Sequence, residues 1–275
     1  MIRVAAIQMV SGPKVQDNLR EAEKLINQAC AKGARLILLP ENFALIGKHD
    51  SDILAHMEKI GEGQIQDFLE RIAKQNNAVI IAGSVPISTN DSNKIRPALL
   101  VYNENGERIA RYDKIHLFDV HIPESEEKYL ESSTFEPGDE ICVVDTSFGR
   151  LGLSICYDLR FPELYRLLGE QDAEILLVPA AFTAVTGEVH WHTLLKARAI
   201  ENQCYVIAAA QGGVHINGRE TYGHSMIIEP WGSILDELDT GAGYVISDID
   251  LDKLKNLRKR FPVLSHRKYF CKNHE

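Results

Sequence analysis

The stretch Gly152-Leu153-Ser154-Ile155-Cys156-Tyr157-Asp158-Leu159-Arg160-Phe161-Pro162-Glu163 joins a strand to a helix at a thiol. Leu151 to Ile155 is an apolar run that stops at Cys156. Tyr157, Asp158 and Arg160 follow, residue types that a packed strand does not select. Pro162 then fits the first turn of a helix, where its missing N–H is no loss. A thiol so placed lies at the C-terminal end of a strand, where α/β sheets carry their chemistry. The Tyr157 N–H and the helix start beyond it can face an anion. A cysteine on an apolar run is by default a packed core residue, so this reading needs partners elsewhere in the chain.

Outward from this point the sequence repeats itself. Gly149 to Ile155 mirrors the apolar run Arg3 to Gln8. The helix from Pro162 to Gln171 leads into Ala173 to Pro179, as a first helix from about Asn18 to Lys32 leads into Ala34 to Pro40. Asp17 or Asn18 can cap that first helix and Gly33 can end it. Phe182 stands where Phe43 stood. His190 to Gln203 reads as a helix before the strand Tyr205 to Ala209. Its counterpart carries Ile65, Phe68, Leu69, Ile72 and Ala73 before Val79 to Ala82, a strand ended by Gly83. Each half then closes on a hairpin. One is Leu99 to Tyr102 with Ile109 to Tyr112 about Asn105-Gly106. The other is Ser225 to Glu229 with Ser233 to Leu238 about Pro230-Trp231-Gly232. Val245 to Ile249 is a last strand. Two such halves, with helices on one face only, bury their open apolar faces most cheaply by stacking them. The expected fold is therefore α/β: a four-layer α-β-β-α sandwich of two stacked mixed sheets with an internal pseudo-two-fold repeat. His116 to Asp139 has no period and reads as one long loop. Lys253 to Glu275 is basic and aromatic, either a loosely ordered end or an arm on a partner subunit.

Composition narrows the function. The 275 residues are 45% hydrophobic and 25% charged, ordinary for a globular protein with a sizeable core. A net charge of −9 supplies no basic face for nucleic acid. Five cysteines, Cys30, Cys142, Cys156, Cys204 and Cys271, are an odd number without framework spacing and read as reduced thiols of a cytoplasmic protein. Cys30, Cys142 and Cys204 read as core, Cys271 as an incidental tail thiol. Met1 to Val10 reads as a first strand and not a signal peptide, and no run is long enough to span a bilayer.

The two-half pattern puts Glu41, Lys114 and Cys156 at strand or hairpin ends, which stacked halves can bring to one cleft. Singly, a Glu after a strand or a Lys after a hairpin is ordinary surface. Together they make a machine. A thiol of ordinary pKa is mostly protonated at neutral pH and needs a base or a cation. Glu41 can take the proton, while Lys114 favours the thiolate and then the developing oxyanion.

Pro40-Glu41-Asn42-Phe43, Lys114-Ile115-His116-Leu117-Phe118 and Cys156 through Glu163 together resemble the three motif blocks of the nitrilase (carbon–nitrogen hydrolase) superfamily. The resemblance runs from Arg3 to about Leu254, so residues 1–252 are expected as the hydrolase domain and 253–275 as a tail at a subunit interface. It implies the same four-layer sandwich, with no cofactor or metal. It assigns Glu41 as general base, Lys114 as oxyanion stabiliser and Cys156 as nucleophile. A second active-site glutamate matches Glu131, with Glu124, Glu126 and Glu127 as rivals. The implied reaction is amide hydrolysis. Cys156 attacks the carbonyl as Glu41 removes its proton, and the oxyanion lies between the Tyr157 N–H and the Lys114 ammonium. Glu41 protonates the leaving ammonia, then activates water to cleave the thioester. Glu131 hydrogen-bonds Lys114 and orients the substrate. The family's habit implies at least a homodimer, built on helices of the second half and the C-terminal arm.

Tyr157 after the cysteine matches amidases, where nitrilases proper carry Trp. Phe182-Thr183, Thr186-Gly187, His190-Trp191 and Tyr222-Gly223-His224-Ser225 resemble the branch acting on small keto-acid amides. Ala208-Ala209-Ala210-Gln211 and Met226 are most similar to its deaminated glutathione amidases. The alternative is an ω-amidase acting on α-ketoglutaramate or α-ketosuccinamate. Both substrates carry carboxylates, which Arg160 could hold bidentately unless it pairs with Asp158 or Glu163. Phe182, Thr183 and Tyr222 are further candidates for the pocket wall. The partner expected is thus a small amide, with no nucleic acid and no membrane. Competing readings fit less well. A Cys–His hydrolase using His116, His190, His192 or His224 lacks its local signatures. His190 and His192 point about 200° apart on a helix and cannot share an ion. Gly212-Gly213 and Gly241-Ala242-Gly243 do not open a strand–turn–helix, so no nucleotide site follows. A non-catalytic binding protein of the same fold predicts a missing Glu, Lys or Cys, and all three are present.

Overall fold

The computed structural model describes residues 1–122 and 127–270. The first half runs β1 (Ile2–Gln8), α1 (Val15–Ala31), β2 (Leu36–Leu38), α2 (Gln64–Asn76), β3 (Val79–Ser88), β4 (Ile95–Tyr102) and β5 (Arg108–Asp113). A connection carrying the short strands β6 (Asp119–His121) and β7 (Lys128–Leu130) follows. The second half is β8 (Val143–Thr146), β9 (Gly149–Leu153), α3 (Pro162–Glu170), β10 (Ile175–Ala180), α4 (Ala184–Asn202), β11 (Tyr205–Ala210), β12 (Gly212–Val214), β13 (Glu220–Tyr222), β14 (Met226–Ile228) and β15 (Ile234–Glu237). The strand β16 (Gly243–Ile249) and the helix α5 (Leu251–Arg260) come last.

One six-stranded sheet has the order β16-β1-β2-β3-β4-β5 and the other β15-β14-β11-β10-β9-β8. The repeat is visible in the pairing. β1-β2-β3 are parallel and β4, β5 antiparallel, as β9-β10-β11 are parallel and β14, β15 antiparallel. Each sheet also carries an antiparallel edge strand beside its first parallel strand. For β9 it is the preceding β8, but for β1 it is β16, from the far end of the chain.

Alternation along β1 explains the layers. Val4 and Ala6 pack into the cluster shared with Leu151, Leu153 and Leu177 of the second sheet. Ala5 and Ile7 point the other way, onto Leu25 and Ile26 of α1 and Leu69 and Ile72 of α2. Side chains of period two on the strands meet period 3.6 on the helices, and both faces of each sheet are dry. The four-layer sandwich expected from the repeat is the fold observed.

Several boundaries differ from the sequence reading. α1 begins at Val15, not Asn18, and neither Asp17 nor Asn18 caps it. The buried Asn18 amide instead bonds both backbone groups of Gly12 and the Ala44 carbonyl, fixing the loop above the helix. β3 does not end at Gly83 but passes it on an irregular register to Ser88. α4 begins at Ala184, six residues before His190, with Thr183 as its cap. The supposed loop 116–139 holds the β6–β7 hairpin. The C-terminal region is helical from Leu251 to Arg260, so the chain passes residue 253 within a helix. Asp250 accepts the Asp252 and Lys253 N–H groups at its start, and Arg258, Lys259 and Arg260 suit the negative end of its dipole. Cys30 and Cys204 are buried, Cys142 only half so, and Cys271 lies outside the described residues.

Candidate active site

β2 ends at Leu38, and Pro40 turns the chain so that Glu41 leaves the sheet pointing toward the seam between the halves. Gly83 makes that turn possible. A Cβ there would stand 2.2 Å from the Pro40 carbonyl oxygen, so only glycine lets β3 run this close. Ser84 Oγ accepts the Asn42 N–H at 2.8 Å, and Gln211 donates to the Glu41 carbonyl at 3.0 Å. The backbone of Glu41 is therefore held from both halves.

Cys156 follows β9 with φ +48°, a left-handed conformation that a non-glycine residue seldom adopts. Asp158 holds it there. One of its oxygens accepts the Ile155 N–H at 2.8 Å and the Tyr112 hydroxyl at 2.7 Å. The other accepts the His116 N–H at 3.1 Å and meets His116 Nδ1 at 2.7 Å. One fully buried carboxylate thus ties the cysteine turn to the end of β5 and the segment beyond Lys114. His116 in turn stacks on Phe161 at 3.7 Å. The sequence reading passed over Asp158 except as a partner for Arg160.

Lys114 follows β5 and is completely buried. Its ammonium reaches Glu41 Oε1 at 2.8 Å and Glu131 at 2.8 and 3.0 Å. Glu41 Oε2 accepts the Ala181 N–H at 2.8 Å, just past β10. Glu131 also accepts the Phe118 N–H at 2.7 Å. Glu41 and Cys156 are buried as well, at 3% and 8% exposure, and are hydrogen-bonded to each other. The acid, amine and thiol are thus in one dry cluster, and Glu131 is the second carboxylate in contact with the lysine. Glu127 is not bonded to Lys114 among the described contacts, and Glu124 and Glu126 lie outside the described residues.

The electrostatics suit a thiol whose proton is taken by a base during attack. Burial, reinforced by Glu41, pushes the Cys156 thiol well above its ordinary range, and Lys114 offsets this only in part. Burial also raises Glu41, but the Lys114 charge and the hydrogen bonds from Lys114 and Cys156 outweigh it, so this carboxylate sits below its ordinary value. Burial carries Glu131 upward, helped by Glu41 and opposed by Lys114. Burial alone would lower Lys114, yet the two glutamates hold it well above the usual amine range. The resting cluster is a neutral thiol beside an ionised base. One ammonium cannot make a thiolate while two carboxylates share it.

A pocket of about 260 Å³ opens at Cys156, lined by Tyr157, Arg160, Phe182, Thr183 and Arg219 among others. Arg160 makes neither of the ion pairs weighed for it. It meets His190 Nδ1 at 3.1 Å and lies over the Phe182 ring at 4.9 Å. Tyr222 does not line this pocket; its ring stacks on His224 at 4.2 Å. His192 turns away from His190, as the helix spacing requires, and shares Glu237 Oε1 with His224. Arg219 was missed. It sits at the end of a turn between β12 and β13, and Asn217-Gly218, with Gly218 at φ +81°, was a hairpin signal in plain view.

Comparison with known proteins gives concordant results. The family model described as carbon–nitrogen hydrolase matches residues 3–259. A deaminated glutathione amidase of Synechocystis is 47% identical over 266 residues, 96% of this chain and 97% of the relative. The crystal structure of the Caenorhabditis elegans NitFhit protein superposes with a TM-score of 0.90 at 38% identity, covering 97% of this chain and 65% of that longer one. Saccharomyces cerevisiae Nit3, described as a member of branch 10 of the nitrilase superfamily, superposes at 0.86 with 29% identity over 98% of this chain and 97% of its own.

Proposed function

The chain belongs to the carbon–nitrogen hydrolase family and is an amidase-type hydrolase; from that premise we propose that it cleaves deaminated glutathione through a thioester on Cys156. The observation that carries the mechanism is the dry contact of Glu41, Lys114 and Cys156. The substrate choice rests on the Synechocystis relative.

The proton inventory suits general-base catalysis. The Cys156 S–H adds to the amide carbonyl as its proton passes to ionised Glu41, so an S–C bond forms and the carbonyl becomes an oxyanion. Lys114 divides its hydrogens among Glu41 and the two Glu131 oxygens. Protonation of Glu41 weakens the first of these bonds and frees one N–H for the oxyanion, beside the Tyr157 N–H. Glu41 then gives its proton to the amide nitrogen as the C–N bond breaks. For deaminated glutathione the departing amine is a cysteinylglycine dipeptide, not ammonia. Water next attacks the thioester, losing its proton to Glu41, and the sulfur leaves to regain its own. Glu131 keeps Lys114 aimed throughout. Arg160 and Thr183 receive the keto-acid end of the acyl half.

The assembly proposed is a homodimer. Val189 and Ile200 on α4 remain 67% and 51% exposed, and Trp231, which meets Phe261 of the C-terminal region, is 62% exposed. Residues 1–252 are taken as the hydrolase domain and 253–275 as a tail at the subunit contact. A cytoplasmic setting suits a chain whose described cysteines are all free.

The deciding experiment is a side-by-side assay of deaminated glutathione and α-ketoglutaramate. A higher kcat/KM for the former supports the proposal. A clear preference for the shorter amide moves the function to the ω-amidase reading. Sedimentation at micromolar concentration tests the dimer.

A further inference from the structure

We propose that Arg219 anchors a leaving-group subsite, its guanidinium taking a carboxylate carried on the amine side of the scissile amide. The inference deepens the function proposed above and rests on it for the identity of the acyl half.

Two pockets meet at the catalytic cluster. The smaller holds Cys156 and Arg160. The larger, about 650 Å³, is bounded by Asn42, His49, Tyr129 and Asn217 and does not reach the sulfur. Phe118, Glu131 and Arg219 belong to both walls. A substrate attacked at Cys156 therefore has room on two sides: a short one for the acyl half and a long one for the departing amine.

Arg219 is built like a binding residue that lacks its ligand. One amino group donates to the Ala181 carbonyl, and the guanidinium lies over the Tyr129 ring at 5.1 Å. Its Nε is buried and has no partner. It makes no ion pair with any carboxylate among the described residues, whereas Arg3, Arg71, Arg96, Arg111, Arg166 and Arg198 each have one. Arg160, the other guanidinium of the small pocket, likewise lacks a carboxylate. Two arginines without acidic partners line the pocket that holds the nucleophile, Arg219 also facing the larger one, and match a substrate with a carboxylate at each end.

The turn that carries Arg219 is fixed beforehand. His215 is buried between the Ser11 carbonyl at 3.0 Å and Thr221 Oγ1 at 2.8 Å, and the Tyr222 N–H bonds the Phe182 carbonyl at 2.9 Å. A pre-ordered guanidinium loses little freedom on binding. Ala181 also links this cation to the reaction. Its N–H holds Glu41 and its carbonyl holds Arg219, so an anion on Arg219 lies on the side where Glu41 must protonate the amine.

The test varies only the amine. Deaminated glutathione is compared with the same compound bearing a C-terminal carboxamide. The wild type should favour the carboxylate by roughly 10- to 100-fold in kcat/KM, chiefly through KM, the span expected for one charge-assisted contact. In Arg219→Met that ratio should fall toward one, whatever uniform loss the variant suffers. Arg219→Lys should keep part of it. A wild type indifferent to the substitution overturns the proposal without recourse to any variant, and so does a ratio that survives in Arg219→Met. If the wild type fails to cleave deaminated glutathione, the substrate reading falls. The subsite is then read by calorimetry with cysteinylglycine. Binding that Arg219→Met loses supports it, and absence of binding overturns it.

Discussion

Replacing Asp158 by Asn tests whether the buried carboxylate positions the nucleophile. Each of its oxygens faces two partners, Ile155 N–H and Tyr112 hydroxyl on one and the two His116 nitrogens on the other. A carboxylate can satisfy all of them because it only accepts. Asn keeps one accepting oxygen and turns an NH2 toward the other pair, so two buried donors lose their acceptor. At about 1.5–3 kcal/mol for each hydrogen bond to a charged group, the loss is about 3–6 kcal/mol. A domain of this size loses roughly 2–4 °C of melting temperature per kcal/mol, so calorimetry should record a fall of about 6–24 °C. Activity should fall further than folded population explains. Cys156 is held in a left-handed conformation by the Ile155 anchor, and a displacement near 1 Å is worth about 100-fold in rate. The assay is kcat and KM at a temperature where the variant remains folded. Tyr112→Phe, which removes one donor and leaves no orphan on the carboxylate, is the control and should cost about 1 kcal/mol. An Asp158→Asn enzyme with wild-type melting and wild-type kcat would refute the argument.

Other expectations follow from the same geometry. Cys156→Ala should abolish turnover while unfolding free energy stays within about 1 kcal/mol of wild type, because only one sulfur atom is lost from the edge of the core; residual full activity would sink the mechanism. Gly83→Ala forces a methyl to 2.2 Å from the Pro40 carbonyl. It should cost about 1–3 kcal/mol by overpacking and lower kcat by displacing Glu41, both read on one purified sample. Glu131→Gln removes the carboxyl whose titration lies above the ordinary range. Wild-type activity should therefore fail as pH drops through that raised value. The variant, slower throughout, should keep its remaining activity to lower pH, where Glu41 with its depressed value sets the limit. An acid limb that does not move assigns it to another group.

The meeting of Glu41, Lys114 and Cys156 was legible because each sits in a short run whose local chemistry is unusual for its place: an acid at once after a buried strand, a lysine after a hairpin, a thiol before a helix start; Glu131 was reached only through the family resemblance. The sandwich was legible because the apolar period switches twice in the same order. Arg219 was not, since its turn is short and its polar residues resemble any surface loop; its role comes from where Phe182 and Ser11 hold that turn. Asp158 was equally silent, because Tyr112 and His116, which make three of its four hydrogen bonds, lie far from it in the chain. α5 carries no clear helical signal in the sequence because its one buried apolar residue, Leu254, gives almost no stripe.

The antiparallel pairing of Ile2–Gln8 with Gly243–Ile249 has a consequence for biosynthesis. Arg3 and Asp248, bonded across this ladder, are 245 residues apart. While the chain is being made, the first strand waits with one side unmatched until Gly243–Ile249 has been synthesised. An open strand edge recruits other strands, including those of neighbouring nascent chains. Translation at about 5–20 residues per second leaves that edge uncovered for more than ten seconds. Completion of the first sheet thus waits on Gly243–Ile249, and chaperones at the ribosome have a defined segment to shield.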